Sequence, residues 1–197
     1  MNSHHGVGSE IARVRVSTAL GEFDVEASGR GLRSVTPSRA GGREREWAAS
    51  NAPGHGGPDD QAAPRHARTA ADALRRYAEG GGARYEGALD IAAPAFQLAV
   101  WERLRDIPFG TTTTYGEIAT ALDMPGEARA VGAAIGANPV CVLIPCHRVV
   151  GTDGALRGFA WGLDLKRRLL AHEGRAALSL FAGVQGGQGT VRPGRPD

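Results

Sequence analysis

The sequence predicts an α+β protein in which a small strand-rich unit comes first and a mostly helical unit, carrying the candidate chemistry, comes second. Three observations predict it. Apolar residues alternate with period two over residues 11–35, they recur at helical spacing from residue 95 onward, and a short apolar run delivers Pro145-Cys146-His147-Arg148. The expected division is residues 1–91, with a disordered loop at about 41–65, then residues 92–176, then a disordered tail at 177–197.

In the first unit, residues 1–10 are polar, and Ile11-Ala12-Arg13-Val14-Arg15-Val16 then alternates as a half-buried strand does. Leu20-Gly21 breaks the pattern, Phe23 to Ala27 resumes it, and Gly29 and Gly31 precede a third strand at Leu32 to Val35, so a meander is expected. From Gly41 to Arg65 the chain is dense in Gly, Pro, Asp and Arg without periodicity. Thr69 to Glu79 then places Ala73, Leu74 and Tyr77 at helical spacing, and Tyr85 to Ile91 is a short extended piece ending at Pro94.

The second unit opens with a helix marked by Phe96, Val100, Trp101 and Leu104, which Ile107-Pro108-Phe109-Gly110 stops. A short helix from Gly116 to Leu122, a turn at Met124-Pro125-Gly126 and a second helix from Glu127 to about Ala137 suggest helix-turn-helix. Met124, Ala128, Val131 and Ile135 form the expected inward stripe, while Arg129, Gly132, Ala133 and Gly136 leave the other face nearly bare. Two glycines inside a helix cost about 1 kcal/mol each relative to alanine, so something must approach this backbone, either another helix or DNA.

Asn138-Pro139 ends that helix, and Val140 to Ile144 is an apolar run suited to a buried strand leading into Cys146. A thiol is mostly protonated at neutral pH, so a nucleophilic cysteine needs a base or positive surroundings, which His147 and Arg148 offer. On spacing alone, a Cys-His pair reads more readily as a buried structural cysteine beside an exposed histidine than as a nucleophile with its base. Gly158-Phe159-Ala160-Trp161-Gly162 makes a loop with aromatic walls, suited to a flat base or to core packing. A last helix from Leu163 to Glu173, with Leu165, Leu169 and Leu170 inward, stops at Gly174.

Composition sets further bounds. A chain of 197 residues with net charge +2 can bury a core, and its charge permits a nucleic-acid contact without demanding one. Cys141 and Cys146, five apart in one segment, cannot build a disulfide framework, so a reducing cytoplasm is expected. No apolar run approaches the roughly 18 residues of a membrane span.

Taken in order, Phe96-Gln97, Val100-Trp101, Ile107-Pro108-Phe109-Gly110, Tyr115-Gly116, Arg129-Ala130-Val131-Gly132, Asn138-Pro139, Ile144-Pro145-Cys146-His147-Arg148-Val149 and Leu169 to Gly174 resemble the O6-alkylguanine-DNA alkyltransferase family. The resemblance covers about residues 92–175, and the N-terminal part fits more loosely. It implies a ribonuclease-H-like N-terminal domain and a helix-turn-helix domain that takes an alkyl group from O6 of guanine onto Cys146, once per molecule. By the same resemblance His147 acts through a water as base, Glu173 orients His147, and Asn138 holds the hinge before the cysteine. Tyr115 reaches the guanine and crowds the target phosphate, and Arg129 enters the stack in place of the flipped nucleotide. The carbonyls of Cys146 and Val149 accept from the guanine amino group, and the Ala160 amide donates to O6. Phe159 stands where the family usually has tyrosine, which removes a hydroxyl contact and keeps the apolar wall, and Trp161 stands where many members have glycine, which implies a narrower pocket that favours methyl over benzyl adducts.

The implied partner is duplex DNA bound through the minor groove, largely without sequence preference, by a monomer. No cofactor is expected, and no metal either, because no cysteine precedes Cys141 to supply the zinc ligands some members carry. O4-alkylthymine is a further candidate substrate. Lesion recognition without chemistry, a DNA-binding regulator and a cysteine hydrolase are the competing functions. The nucleophilic cysteine speaks against the first, the lack of a basic recognition helix against the second, and stoichiometry separates the third.

Overall fold

The computed structural model describes residues 11–38, 61–82 and 85–184, with side chains described to residue 174. Strands β1 (Ile11–Thr18), β2 (Gly21–Ser28) and β3 (Gly31–Pro37) form an antiparallel meander in the order β1-β2-β3. The alternation explains it. Val16, Phe23, Val25, Ala27, Leu32 and Val35 are buried on one face, while Arg13 meets Glu26 at 2.6 Å and Arg15 meets Asp24 at 2.8 Å across the other.

Helix α1 (Ala62–Ala78) covers the buried face. It begins seven residues before the expected Thr69, so residues 62–65 of the supposed loop are helical, and Ala63 and Ala67 are buried. Alanine has the highest helix propensity, and Ala63, Ala67, Ala70 and Ala71 recur at the spacing of one face, which lets the helix lie close on the sheet. The remainder of the expected loop, 41–60, and residues 1–10 lie outside the described residues. Of the expected extended piece at 85–91, Leu89 alone pairs, as a parallel bridge to Leu32.

The helical part comprises α2 (Ala95–Arg105), a short strand β4 (Thr113–Thr114), α3 (Tyr115–Ala121), α4 (Ala128–Gly136), a 3-10 turn at Cys146–Arg148, β5 (Val149–Val150) and α5 (Leu163–Val184). Thr114 and Glu117 close a capping box at the start of α3, each bonding the other's backbone N–H. The Trp101 indole donates to the Ala134 carbonyl at 2.8 Å, joining α2 to α4. On α4 the inward residues are Val131, Ala134 and Ile135. Met124, expected on that stripe, is 36% exposed because it precedes the helix, in the turn between α3 and α4.

Two expectations at the C-terminal side need correction. Helix α5 does not stop at Gly174 but continues to Val184, so residues 177–184 of the supposed tail are helical, and 185–197 lie outside the described residues. Glycine ends a helix when it takes a left-handed conformation, and Gly174 has no positive φ. No helix among the described residues is long and apolar enough to cross a membrane.

A single buried cluster runs from Ala12 through Ile135 to Leu169, and the two parts of the chain share it. Hydrogen bonds reinforce the seam, because Val35 N donates to Pro139 O at 3.0 Å and Cys141 N donates to Val35 O at 2.8 Å.

The turn between β2 and β3 gives a test of backbone economy. Gly31 has φ +156°, and a Cβ there would lie 2.6 Å from Ala88 O, whereas Gly21 has φ +126° with nothing within 4 Å. Gly21→Ala is expected to cost about 1–3 kcal/mol from backbone strain alone. Gly31→Ala is expected to cost more, since the Leu89 segment must also move away, and denaturant midpoints of the two variants check the order.

Candidate active site

Asn138 sets the path into the cysteine. Its side-chain Oδ1 accepts from Val140 N at 2.9 Å, and its Nδ2 donates to Ile144 O at 2.9 Å, so one amide clamps both ends of the segment between them. Ile144 N also donates to Val140 O at 3.0 Å. This is why Val140 to Ile144 is not the strand its apolar run suggests. Val140 alone pairs, with Val35, and the chain then turns through Val142 at φ +71°. A β-branched residue at positive φ is strained, and it persists here because the clamp and the surrounding core fix it.

The turn delivers Cys146 and His147 buried, at 2% and 0% exposure. Immediately after them, β5 pairs in parallel with β4, Val149 opposite Thr113 and Val150 opposite Thr114, which brings Tyr115 beside the cysteine. Burial lifts the Cys146 thiol to about 11, with the Asn138 side chain, the Lys166 ammonium and the backbone N–H groups of Cys146 and His147 pulling the other way. The resting group is therefore a thiol, and its reaction requires a base.

His147 has the features of that base. Its Nε2 lies 2.6 Å from Glu173 Oε1, and its Nδ1 is buried with no partner among the described residues. Burial would raise the Glu173 carboxyl, but the His147 hydrogen bond and the Arg148 guanidinium override it and hold the group down at about 2. An ionised carboxylate only accepts, so Nε2 carries the proton and donates, and neutral imidazole then presents a lone pair at Nδ1. Burial also keeps the imidazole below its ordinary range despite the neighbouring carboxylate.

Glu173 accepts far more than one bond. Arg148 Nε donates to Oε2 at 2.9 Å and Arg148 Nη2 to Oε1 at 3.0 Å, Gly110 N donates to Oε2 at 2.9 Å, and the Tyr77 hydroxyl donates to Oε1 at 2.8 Å. Arg148 Nη1 reaches on to Ile107 O at 2.6 Å. Arg148 is thus consumed by Glu173 and does not supply the positive surroundings expected for the thiol. That charge comes from Lys166. Because α5 continues beyond Glu173, the carboxylate sits within the helix and escapes the unfavourable negative pole of a C-terminus.

The mouth of the site is built by the loop after β5. Tyr115 Oη donates to Arg157 O at 2.9 Å, and buried Lys166 Nζ donates to the same carbonyl at 2.9 Å and to Val149 O at 2.6 Å. Phe159 and Trp161 are half-buried and meet edge to face, with centroids 5.4 Å apart, and Ala160 between them is exposed. Arg129 is exposed on the outer face of α4. At the far end of the bare face, a Cβ on Gly136 would meet nothing within 4 Å among the described residues. A Cβ on Gly132 would lie 3.6 Å from the Tyr115 ring.

The structure therefore gathers Cys146, His147, Glu173, Asn138, Tyr115 and Val149 in one place, with Phe159, Ala160 and Trp161 on the adjoining loop. Reading the sequence alone misses Tyr77, Lys166 and the role of Arg148. For Lys166 a signal existed, since it is the single lysine in a chain whose other basic residues are arginines, and it sits on the apolar side of a helix. Tyr77 gave none beyond its helical spacing.

With Cys146 at about 11 and Cys141 raised well above its ordinary value, ultraviolet absorbance of the native protein is expected to show no thiolate at neutral pH. A band should grow only as pH approaches 11. Thiolate absorbance at neutral pH would contradict the base-dependent chemistry.

Comparison with known proteins agrees with the geometry. The model of the 6-O-methylguanine DNA methyltransferase DNA-binding domain matches residues 95–175. A methylated-DNA–protein-cysteine methyltransferase of Mycolicibacterium paratuberculosis is 46% identical over 121 residues, covering 60% of this chain and 73% of that protein. The Mycobacterium tuberculosis O6-methylguanine methyltransferase structure superposes with a TM-score of 0.66 at 32% identity, covering 87% of this chain and 99% of that one. A second structure from that organism, in complex with DNA, gives a TM-score of 0.66 at 34% identity over 85% of this chain and 97% of that one. On sequence and fold together, the chain belongs to the methylated-DNA–protein-cysteine methyltransferase family.

Proposed function

We propose that this protein repairs DNA by direct reversal, moving the alkyl group of O6-alkylguanine, methyl above all, irreversibly onto Cys146. The observation that carries the reading is a buried, protonated Cys146 beside a histidine whose Nε2 proton is committed to Glu173, which leaves Nδ1 as a base. His147 Nδ1 accepts the thiol proton through a bridging water. The Cys146 sulfur attacks the alkyl carbon in line, the S–C bond forms as the C–O6 bond breaks, and guanine departs with the electron pair and is reprotonated. The thioether does not revert, so each molecule reacts once and the enzyme is a methylated-DNA–[protein]-cysteine S-methyltransferase.

Duplex DNA is the partner, engaged in the minor groove by a helix-turn-helix formed by α3 and α4. The open face around Arg129, Ala133 and Gly136 lets backbone approach closely, and Arg129 fills the space left by a flipped nucleotide. Tyr115, whose hydroxyl holds Arg157 O in the DNA-free protein, exchanges that bond for the guanine. The carbonyls of Cys146 and Val149 accept from the guanine amino group, and the Ala160 amide donates to O6. A carbonyl has two lone pairs, so Val149 O can serve guanine while holding Lys166. Phe159 and Trp161 wall the pocket, and the Trp161 bulk disfavours large adducts. Residues 1–91 are read as a ribonuclease-H-like domain and 92–176 as the alkyltransferase domain. The protein acts as a monomer in the reducing cytoplasm, where both cysteines stay free, and O4-alkylthymine is a secondary substrate.

Incubating the protein with a duplex holding one O6-methylguanine, and a parallel duplex holding O6-benzylguanine, tests this directly. The expected result is a single methyl on the Cys146 peptide, at most one per molecule, with slower benzyl transfer and none in Cys146→Ser. Tight lesion binding with no mass gain would instead indicate recognition without chemistry, and equal methyl and benzyl rates would remove the role given to Trp161.

A further inference from the structure

The geometry points to Tyr77 as a positioning residue for the reaction, a group from the N-terminal part of the chain that fixes Glu173 and sets how readily His147 takes a proton. The inference rests on the reading of His147 as the base. Tyr77 lies near the end of α1, outside residues 95–175 that match the DNA-binding-domain model, and is 1% exposed.

A phenylalanine would fill the same space, so the hydroxyl needs its own explanation. Its proton goes to Glu173 Oε1 at 2.8 Å, the same oxygen that accepts from His147 at 2.6 Å, and its oxygen lies 3.2 Å from His147 Nε2. The Tyr77 main chain is held as well, since His172 Nε2 donates to Tyr77 O at 2.7 Å. Residue 77 is therefore gripped at its carbonyl and at its hydroxyl by two successive residues of α5.

Each donor on a carboxylate oxygen draws down the charge left for the others. Tyr77 thereby limits how strongly Glu173 stabilises an imidazolium at His147, and the base stays unprotonated at neutral pH. The other titratable or charged groups around the pair are Arg148 from the 3-10 turn, Lys166 and His172 from α5, and the two thiols Cys141 and Cys146. Arg148 and Lys166 both disfavour a second positive charge on His147, so Tyr77 works in the same sense as they do.

The test follows His147 by NMR across pH in the DNA-free protein and, in parallel, the pH dependence of methyl transfer to Cys146. In Tyr77→Phe the His147 midpoint and the acid limb of the transfer rate are both expected to rise by about half to one pH unit, a fraction of the worth of one charge-assisted hydrogen bond because Arg148 and Gly110 still hold Glu173. Should that variant fold poorly, 3-fluorotyrosine at position 77, a stronger donor of nearly the same shape, is expected to move both the other way. An unchanged His147 midpoint, with the rate lowered equally at every pH, would make Tyr77 a packing residue and overturn the inference. A shifted midpoint with an unmoved acid limb would overturn its link to the reaction. If the unsubstituted protein transfers no methyl, the functional reading fails on its own, and the His147 titration still decides whether Tyr77 governs the histidine.

Discussion

Glu173 is a carboxylate with 1% exposure, and the arrangement of the region around Cys146 depends on keeping it charged where water cannot reach it. An unpaired buried carboxylate would be prohibitive, so the fold supplies four donor residues from three separate segments: Tyr77 on α1, Gly110 in the loop after α2, and His147 and Arg148 in the 3-10 turn. None of these segments is adjacent in sequence to α5. Satisfying one charge therefore fixes their relative positions, and the cysteine is carried along by the turn that includes His147 and Arg148. Removal of the carboxylate would strand the Arg148 guanidinium, of a residue 5% exposed, with Ile107 O as its remaining hydrogen-bond partner among the described residues. Breaking a buried pair in this way costs about 3–5 kcal/mol in comparable cases.

A second constraint acts on the approach to the site. The Asn138 amide folds Val140–Ile144 into a turn, at the expense of a left-handed Val142, so that Cys146 points into the protein and not along the edge of β3. Val140 pairs with Val35 and Cys141 N donates to Val35 O, so the N-terminal sheet and the turn leading to Cys146 are built on one another. Lys166 performs the corresponding task on the outer side, where a compact ammonium bonds two carbonyls, Val149 and Arg157, that close around the mouth.

Much of this is legible in the sequence. Period-two alternation placed the three strands of the N-terminal meander, and helical spacing placed buried residues on α1, α2, α4 and α5, although Met124 proved exposed and the short strands β4 and β5 gave no pattern. Cys146, His147, Glu173, Asn138 and Tyr115 were legible through the ordered motifs that surround them. What was not legible depends on partners far apart in sequence. Val140–Ile144 is apolar enough for a strand, and its turn is dictated by one side chain before it. Gly174 looks like a helix stop, yet its conformation is helical. Tyr77 and Glu173 are 96 residues apart, and nothing local in either announces a hydrogen bond between them. Arg148 looks like a neighbour for the thiol because it is two residues away, but the 3-10 turn sends it to Glu173.

The central claim is that Glu173 commits the His147 proton to Nε2 and leaves Nδ1 free to act as base. Nitrogen-15 chemical shifts of His147 in labelled protein at neutral pH measure this without DNA or turnover. A protonated Nε2 with a bare, pyridine-like Nδ1 is the predicted result. A proton on Nδ1, whether in the opposite tautomer or in an imidazolium, would contradict it, because His147 would then have no lone pair with which to activate Cys146.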